Sequence, residues 1–277
     1  MLEFDGERAF GYLEKQVSFG PRVPGTDNSI RCREYLIAFF DSLGAQVDTM
    51  MFTHNSKVSG KPLEMVNVIA AFDGASSEKR YLLAAHFDSR PRAEHDPDST
   101  RREDWIDGAN DGASGVAVLM ELANLISAQR PRVGIDMALL DGEDFGRPHD
   151  LDEYFLGAKD LVKRGIKGKY EFAIVIDMIG DKDLQIFREQ HSSKYFPEIT
   201  DLVWETAAEL GESTFVDAER HAIYDDHLSF MTIKLPSAVI IDFDYKYWHT
   251  VADTPDKCSA ASLASVGRVV TALLYKL

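Results

Sequence analysis

The sequence predicts an α/β fold, in which a single domain has three layers, α/β/α, around a mixed, largely parallel central sheet. Two observations lead to this prediction. Short apolar runs of strand length alternate with helical patterns over most of the chain. Several of these runs are apolar at nearly every position, as expected of strands that helices cover on both faces. No internal repeat or low-complexity linker divides the 277 residues, so one domain over 1–277 is the simplest organisation.

Composition places the chain among ordinary globular proteins and excludes some partners. Apolar residues make up 45% and charged residues 27%, close to the average for globular domains. The formal net charge of −16 argues against nucleic acid, because phosphate binding needs a basic surface. No apolar run approaches the roughly 20 residues that span a bilayer, and residues 1–7 lack the features of a signal peptide. Cys32 and Cys258 form no Cys-x-x-Cys motif, and the sequence leaves open whether they pair.

The N-terminal third is predicted to contain two amphipathic helices and three strands. In chain order these five elements are 5–18, 27–43, 46–53, 65–72 and 81–85. A Gly- and Pro-rich loop at 19–25 separates the helices. The stretch 89–110 is polar with mixed charge, and we interpret it as a solvated loop rather than a substrate-specific lid.

From residue 112 onwards helices and strands alternate. The predicted elements are helix 112–127, strand 135–140, helix 154–164, strand 172–176, helix 195–210, strand 237–241 and helix 260–277. The first of these helices is rich in Ala, Val, Leu and Met on nearly all sides, which predicts that it is buried.

Acidic residues and histidines follow directly after four of the predicted strands. The four strand ends carry His86-Phe87-Asp88, Asp141-Gly142-Glu143-Asp144, Asp177 and the segment Asp242–His249, and Asp107–Gly112 leads into the buried helix. Ligands of open α/β sheets bind beyond the carboxyl ends of the strands. A single acid can instead cap a helix, as Asp111 could. Five such places in one chain nevertheless predict one functional site.

The residue types at these strand ends suit a metal centre. Zn²⁺ binds carboxylate oxygen and imidazole nitrogen, and a catalytic zinc site leaves one position open. Because Glu143 and Asp144 are adjacent, their side chains diverge, so that one can bind metal while the other acts as general acid and base. No nucleophile elbow, Walker loop or His-Glu-x-x-His motif occurs. The five remaining histidines outside such patterns are predicted to be surface residues: His54, His95, His149, His191 and His221.

The ordered set of short motifs resembles that of the zinc aminopeptidase superfamily and, within it, the zinc-dependent glutaminyl-peptide cyclotransferases of animal and bacterial type. The motifs are Ala85-His86-Phe87-Asp88-Ser89, Gly108–Gly115, Asp141-Gly142-Glu143-Asp144, Ile176–Gly180 and Trp248-His249-Thr250. Two features favour a cyclotransferase. The run Asp225-Asp226-His227 resembles the segment of glutaminyl cyclases in which aminopeptidases usually carry Ser-Asp-His, and Trp248 resembles the pocket tryptophan of cyclases.

The resemblance implies a role for each matching residue. Asp111, Asp144 and His249 match the metal ligands, and Glu143 matches the catalytic acid and base. Asp177 and Asp225 match the carboxylates that complete a hydrogen-bonded catalytic site, and Trp248 and His86 match substrate-pocket positions. A cyclase would hold one zinc ion per chain. An aminopeptidase would hold two, with His86 and Asp177 among the ligands of the second.

The chain departs from the animal pattern at several places, two of which lie in the site. Asp144 stands where animal cyclases have glutamate, and a second pocket tryptophan has no counterpart in Phe145–His149.

The function that the resemblance implies is conversion of N-terminal glutamine to pyroglutamate with release of ammonia. Zinc would act as a Lewis acid and Glu143 as proton shuttle. The alternative is a two-zinc aminopeptidase. A non-catalytic binding protein on this fold would be expected to lose ligands, whereas this chain keeps the full set. The expected partners are peptides or proteins that begin with glutamine, and the enzyme is expected to be a monomer.

Overall fold

A computed structural model describes residues 3–277 and contains eight α-helices and eight strands in that range. In chain order they are α1 (Gly6–Val17), α2 (Asp27–Ser42), β1 (Gln46–Asn55), β2 (Pro62–Phe72), β3 (Arg80–His86), α3 (Ala113–Ala128), β4 (Gly134–Leu140), α4 (Leu156–Lys163), β5 (Ala173–Asp177), β6 (Ile186–Glu189), α5 (Gln190–Tyr195), α6 (Pro197–Leu210), β7 (Phe215–Arg220), α7 (Asp226–Thr232), β8 (Ser237–Ile241) and α8 (Ala260–Lys276).

Six of the strands form the central sheet, in the order β1-β2-β4-β3-β5-β8. Strand β2 is antiparallel to both of its neighbours, and the other three pairings are parallel. The carboxyl ends of β3, β4, β5 and β8 therefore lie at the same edge of the sheet. The predicted mixed, largely parallel sheet is confirmed.

Helices cover both faces of this sheet, because successive residues of a strand point to opposite faces. In β3, Leu83 and Ala85 pack into a core that includes buried residues of α1, α2, α3, α6 and α8. Leu82 and Ala84 pack into a second core that includes residues of α4 and α7. This arrangement explains why the sequence of β3 is apolar throughout, and it confirms the three-layer prediction.

The structure differs from the prediction in the region between β5 and β8. The helix predicted at 195–210 is observed as α6, which begins two residues later with Pro197 in its first turn. The short helix α5, which ends at Tyr195, was not predicted. The sequence prediction also missed α7 and the small parallel sheet of β6 and β7. Strand β7 is mostly exposed and α7 has only seven residues, so neither produces a clear hydrophobic period.

The prediction of a solvated loop for 89–110 is wrong for its first part. Ser89, Arg90, Arg92 and Asp96 are all buried. Only the middle of the stretch, residues 97–105, is exposed throughout. Arg90 is paired with Glu94 and Asp144, and Arg92 donates to the backbone oxygens of Phe145 and Gly146, which is why this polar sequence can be buried.

Within residues 3–277, Cys32 and Cys258 are both buried and unpaired. None of the described helices is long and apolar enough to cross a membrane. Met1 and Leu2, part of the stretch interpreted as lacking a signal peptide, lie outside the described residues.

Candidate active site

The strand ends that carry acidic residues and histidines meet at one edge of the sheet. His86 is the last residue of β3 and pairs with Leu140, directly before the Asp141–Asp144 turn. Asp177 is the last residue of β5 and pairs with Ile241, the last residue of β8. The structure thus brings together the places that the sequence singled out separately.

Asp111, Asp144 and His249 form a cluster of three buried side chains that can hold one metal ion. His249 Nε2 lies 3.5 Å from Asp111 Oδ2 and 3.2 Å from Asp144 Oδ2. Tetrahedral zinc, with ligands at about 2.0–2.2 Å, needs its ligand atoms about 3.3–3.6 Å apart. Both carboxylate oxygens are buried and find no hydrogen-bond partner among residues 3–277. The residues therefore fit a zinc ion, because a cation would satisfy these unpartnered oxygens.

The backbone around Asp111 is held by a second carboxylate, that of Asp253. Asp253 accepts hydrogen bonds from the backbone N–H of Asn110 at 2.9 Å and of Asp111 at 3.1 Å. The Tyr245 hydroxyl donates to the same carboxylate at 2.8 Å. Gly112 follows with a φ of 100°, and a Cβ there would collide with the backbone around Asp88. Only glycine adopts this conformation readily, so Gly112 lets the chain turn from the ligand into α3.

Asp88 fixes the turn that carries Glu143 and Asp144. Its two carboxylate oxygens accept hydrogen bonds from the backbone N–H of Glu143 at 3.1 Å and of Asp144 at 3.3 Å. The adjacent side chains then point in different directions, as the sequence predicted. Asp144 joins the metal cluster, while Glu143 lines the cavity beside it.

Arg22 ties together the loops beneath the site. Its guanidinium is fully buried and donates to the backbone oxygens of Phe87 at 2.8 Å, Asp107 at 2.7 Å and Gly108 at 2.7 Å. The loop that contains Arg22 was predicted only from its Gly and Pro content, so this role was missed.

A buried arginine also connects two residues of the candidate metal cluster, and the sequence prediction missed it. Arg90 Nη1 donates to Asp144 Oδ1 at 2.6 Å, and Arg90 Nε donates to both carboxylate oxygens of Glu94 at 2.8 Å. Glu94 Oε1 in turn lies 3.3 Å from His249 Nδ1. Carboxylates placed behind a ligating histidine orient its ring and raise its basicity. A signal for Arg90 was present in the sequence, because many acidic residues that are buried together need a positive charge beside them.

These contacts set the protonation of the cluster in the metal-free protein. Burial alone would raise the pKa of Asp144, but the charges of Arg90 and His249 outweigh it and hold that pKa below its ordinary value. Burial lowers the pKa of His249, but the charge of Asp144 and its contacts with Asp144 and Glu94 outweigh burial and raise it to about 9. Burial and the charge of Asp144 raise the pKa of Asp111.

Glu143 is buried at the cavity wall next to the metal cluster. Burial is the main cause that raises its pKa well above the ordinary value, and the charges of Asp144, Asp226 and Asp225 add to it against the opposing charge of His86. A carboxyl group with a raised pKa in a cleft is suited to move protons at neutral pH.

Two further carboxyl groups stand opposite Glu143. Asp225 lines the cavity and caps α7 by accepting a hydrogen bond from the backbone N–H of Asp226. Burial, and then the negative charge of Asp177, raise the pKa of Asp225 to about 8. Burial also raises the pKa of Asp226 to about 7, and its carboxylate oxygens have no hydrogen-bond partner within the described chain. The run Asp225-Asp226-His227 therefore places two proton-holding groups near the site.

His86 lies beneath the cavity and is not among the described residues that line it. The prediction that His86 belongs to the substrate pocket is therefore wrong: Asp111 and Asp177 stand between its ring and the cavity. His86 Nε2 lies 3.2 Å from Asp111 Oδ1 and 3.1 Å from Asp177 Oδ1. These three residues form a second cluster that could hold a metal ion, and it shares Asp111 with the first.

A cavity of about 300 Å³ opens over the metal cluster. Its wall contains Trp248, as predicted, with the indole centroid 4.0 Å from that of the His249 ring. His95 and His149 also line this cavity, although the sequence predicted only that they are surface residues. The rest of the wall is mainly apolar, with Pro148, Leu151, Tyr154, Phe155, Met178, Ala222, Ile223, Tyr224, Ile241 and Phe243.

A metal-binding cluster at the carboxyl edge of an α/β/α sandwich, with a free glutamate beside it, defines a zinc-exopeptidase-like protein. The chain belongs to Peptidase family M28, whose sequence model matches residues 67–274. The family resemblance that the sequence predicted is confirmed.

The similar proteins include cyclotransferases and an aminopeptidase. A glutaminyl cyclase structure from Tannerella forsythia is 36% identical, covers 100% of each chain and has a TM-score of 0.94. A leucine aminopeptidase precursor from Bacteroides thetaiotaomicron is 34% identical, with coverage of 100% of this chain and 98% of the other and a TM-score of 0.95. A glutaminyl-peptide cyclotransferase of Drosophila melanogaster is 22% identical over 90% of this chain and 75% of its own length.

Proposed function

We propose that this protein is a zinc-dependent glutaminyl-peptide cyclotransferase, which converts the N-terminal glutamine of a peptide to pyroglutamate and releases ammonia. The observation that carries this proposal is the cavity, in which Trp248, Glu143 and Asp225 surround the metal cluster. The likeness to the Tannerella forsythia glutaminyl cyclase over the whole chain supports it.

Asp111, Asp144 and His249 would hold one zinc ion per chain. Zinc bound there would polarise the side-chain amide carbonyl of the substrate glutamine as a Lewis acid. The cavity lies directly over these ligands, so the glutamine side chain would extend down to them from the mouth. Trp248 would pack against its methylene groups, since the indole forms part of the wall.

Glu143 would carry the proton that the reaction has to move. The α-amine nitrogen forms a bond with the side-chain amide carbon, and the bond from that carbon to the amide nitrogen breaks. Glu143 would accept the proton from the attacking amine and return it to the leaving nitrogen, so that ammonia departs. The raised pKa of Glu143 makes it a stronger base than an exposed glutamate.

Asp177 and Asp225 would hold the substrate α-amine by accepting its hydrogen bonds at the cavity wall. Such a contact orients the nitrogen lone pair toward the amide carbon. Because both reacting groups belong to one residue, orientation alone removes much of the barrier. A shared proton between two nearby carboxyl groups is consistent with the pKa of about 8 for Asp225.

The second candidate function is a two-zinc aminopeptidase. The specific observation in its favour is the cluster of His86, Asp111 and Asp177, whose ligand atoms lie within 4.8 Å of one another. The likeness to a leucine aminopeptidase precursor adds to this case. In that reaction the product would be a free amino acid, and no ammonia would be released.

The experiment that separates the two functions measures both products from one peptide. We expect the zinc-loaded protein to release ammonia from a peptide that begins with glutamine and to leave its second residue attached. Glu143→Gln should keep its zinc but lose activity by about 10²- to 10⁴-fold, the usual contribution of a general acid and base. Free amino acids without ammonia would overturn the cyclotransferase proposal, and near-normal turnover of Glu143→Gln would remove Glu143 from the mechanism.

We further propose that residues 1–277 act as one catalytic domain and that the enzyme is a monomer. The metal ligands, the acid and base and the cavity walls all come from one chain around one sheet. Light scattering of the active fraction after gel filtration would test the oligomeric state, and a dimer as the only active species would contradict it.

A further inference from the structure

The mouth of the active-site cavity has exposed apolar side chains on two sides. Leu151 is 47% exposed and Tyr224 is 59% exposed, and both line the cavity. Leu151 belongs to the segment between β4 and α4, whereas Tyr224 belongs to the segment that precedes α7. Single exposed apolar residues are normal on proteins, but a group of them around a cleft marks a binding surface.

The aromatic surface continues away from the cavity beyond Tyr224. The His191 ring meets the Tyr224 ring edge-on, with centroids 5.7 Å apart. On its other side His191 lies nearly parallel to the ring of Tyr195, with centroids 6.2 Å apart. Tyr195 is itself 55% exposed. Three rings therefore form a path that leads outward from the mouth.

Charged groups of the cavity wall lie deep, not at this mouth. Among the described residues that line the cavity, the carboxylates are those of the metal cluster, Glu143, Asp177, Asp225 and Glu94. Glu94 is already paired with Arg90. No Lys or Arg of residues 3–277 lines the cavity. Apart from the exposed imidazoles of His95 and His149, the mouth therefore offers apolar contact rather than charge to whatever lies in it.

We propose that Leu151 and Tyr224 form the subsite for the second residue of the peptide substrate, and that this subsite selects an aromatic or large aliphatic side chain. The inference rests on the proposed function. With the glutamine side chain at the metal ligands and its amine at Asp225, the following peptide bond points to the mouth. The next residue lies about 3.3–3.6 Å further along the chain, which places it between the two apolar walls.

The second residue takes no part in the bond changes, so its contacts are equally strong before and during the reaction. Contacts of this kind lower KM and leave kcat nearly constant. Partial burial of an aromatic ring gives about a tenfold effect on binding. We expect the KM of Gln-Phe-Gly to be about tenfold below that of Gln-Gly-Gly. The KM of Gln-Leu-Gly should lie near that of Gln-Phe-Gly, and the KM of Gln-Glu-Gly near that of Gln-Gly-Gly.

The test compares kcat and KM for these four peptides, measured by ammonia release from the zinc-loaded enzyme. The double variant Leu151→Ser/Tyr224→Ser should reduce the tenfold KM ratio between the first two peptides to about twofold, because the apolar walls are gone. The matched control is Met51→Ser/Trp105→Ser, whose side chains are 67% and 50% exposed and do not line the cavity. The control should keep the tenfold ratio.

The outcomes separate this inference from the function on which it rests. If the wild-type enzyme releases ammonia from all four peptides with equal KM, the subsite is overturned while the cyclotransferase proposal stands. A tenfold KM ratio that persists in the Leu151→Ser/Tyr224→Ser variant also overturns the subsite. If no peptide yields ammonia, the proposed function fails and the subsite with it. Thermal melting and zinc content of both double variants exclude a folding defect as the cause of a lost ratio.

Discussion

At the scale of single residues, Arg90 decides how the metal cluster is held. Its guanidinium is completely buried and contacts Asp144, Glu94 and Tyr154, so its donors are shared among three partners. Burial works against this charge, and the nearby carboxylates raise the pKa of Arg90 despite it. Arg90 therefore stays positive and fixes Asp144 directly and His249 through Glu94.

We predict that Arg90→Met weakens zinc binding by about 10- to 100-fold, the range typical of lost partners behind metal ligands. Without the guanidinium the pKa of Asp144 rises, and protons compete better with the metal. Competition with a chromophoric chelator at pH 6 and pH 8 measures the zinc dissociation constant. The loss of zinc affinity should be larger at pH 6, where protons that compete for Asp144 are more abundant.

A matched control for this variant is Arg80→Met. Arg80 also pairs with a buried aspartate, Asp136, but at the opposite end of the sheet. This variant should lower the thermal midpoint and leave the zinc dissociation constant near that of the wild type. Equal zinc affinities of the Arg90 and Arg80 variants would show that Arg90 has a general structural role only.

At the scale of elements, the sequence predicted best the strands that helices bury on both faces. Strand β8 was predicted with the same bounds as observed, and β3 to within one residue at each end. Their long apolar runs leave no other interpretation, because such runs are expected only where both faces are covered. Strands β6 and β7 were missed because they form a separate pair without such a run: β6 has only four residues, and β7 is mostly exposed.

The residues of the site also divide into those that the sequence predicted and those that it missed. Asp111, Asp144, Glu143 and Asp177 were predicted because they follow strands or precede a helix in a recognisable order, whereas Asp225 was predicted only from the family resemblance. All five line one cavity. The supporting residues were not predicted. Arg90 and Asp253 act through contacts with segments far away in sequence, such as Asp253 with the backbone of Asp111. Such contacts leave no local pattern that a single sequence could reveal.

Variants of His86 and Asp177, the last residues of β3 and β5, distinguish a one-zinc cyclotransferase from a two-zinc aminopeptidase. If the protein is a cyclotransferase, His86→Ala should retain one zinc per chain and reduce activity moderately, because His86 contacts Asp111 from behind. Asp177→Ala should also retain zinc but lose activity severely, since Asp177 would hold the substrate amine. Mass spectrometry under native conditions measures the zinc content of each variant.

The two variants serve as controls for each other. Both residues belong to the second ligand cluster, so a second zinc would be lost from both. A wild-type protein with two zinc ions, reduced to one by either substitution, would refute the one-zinc reading. One zinc ion in all three proteins would refute the aminopeptidase alternative.

At the scale of the whole molecule, the site concentrates buried charge in an already acidic protein. The formal net charge is −16, and several of the carboxyl groups contributing to it are buried around the metal cluster. In the metal-free protein burial is the main cause that raises the pKa of Asp225 to about 8 and that of Asp226 to about 7, and repulsion by neighbouring carboxylates such as Asp177 adds to it. A divalent cation would relieve this repulsion, so metal binding should be a substantial part of the stability of the fold.

We therefore predict that the stabilisation by zinc grows as the pH rises from 6 to 8. The pKa of His249 is raised from 6.5 to about 9 and that of Asp225 from 3.8 to about 8 in the metal-free folded chain. Over this range the folded state binds more protons than the unfolded state, so the free energy of unfolding of the metal-free protein falls with pH. Zinc affinity changes in the opposite direction, because the ligands must lose their protons before they bind the metal.

The measurement is the thermal midpoint with excess zinc minus the midpoint with chelator, at pH 6, 7 and 8. The difference should increase at each step, because zinc stabilises the fold in proportion to the logarithm of its affinity. His249→Ala removes a proposed ligand whose pKa is raised to about 9 in the metal-free folded chain, so the midpoint of this variant should respond little to zinc at any of the three pH values. A difference that stays constant with pH in the wild type would mean that zinc does not compete with protons at this cluster. The assignment of His249 as a ligand would then have to be abandoned.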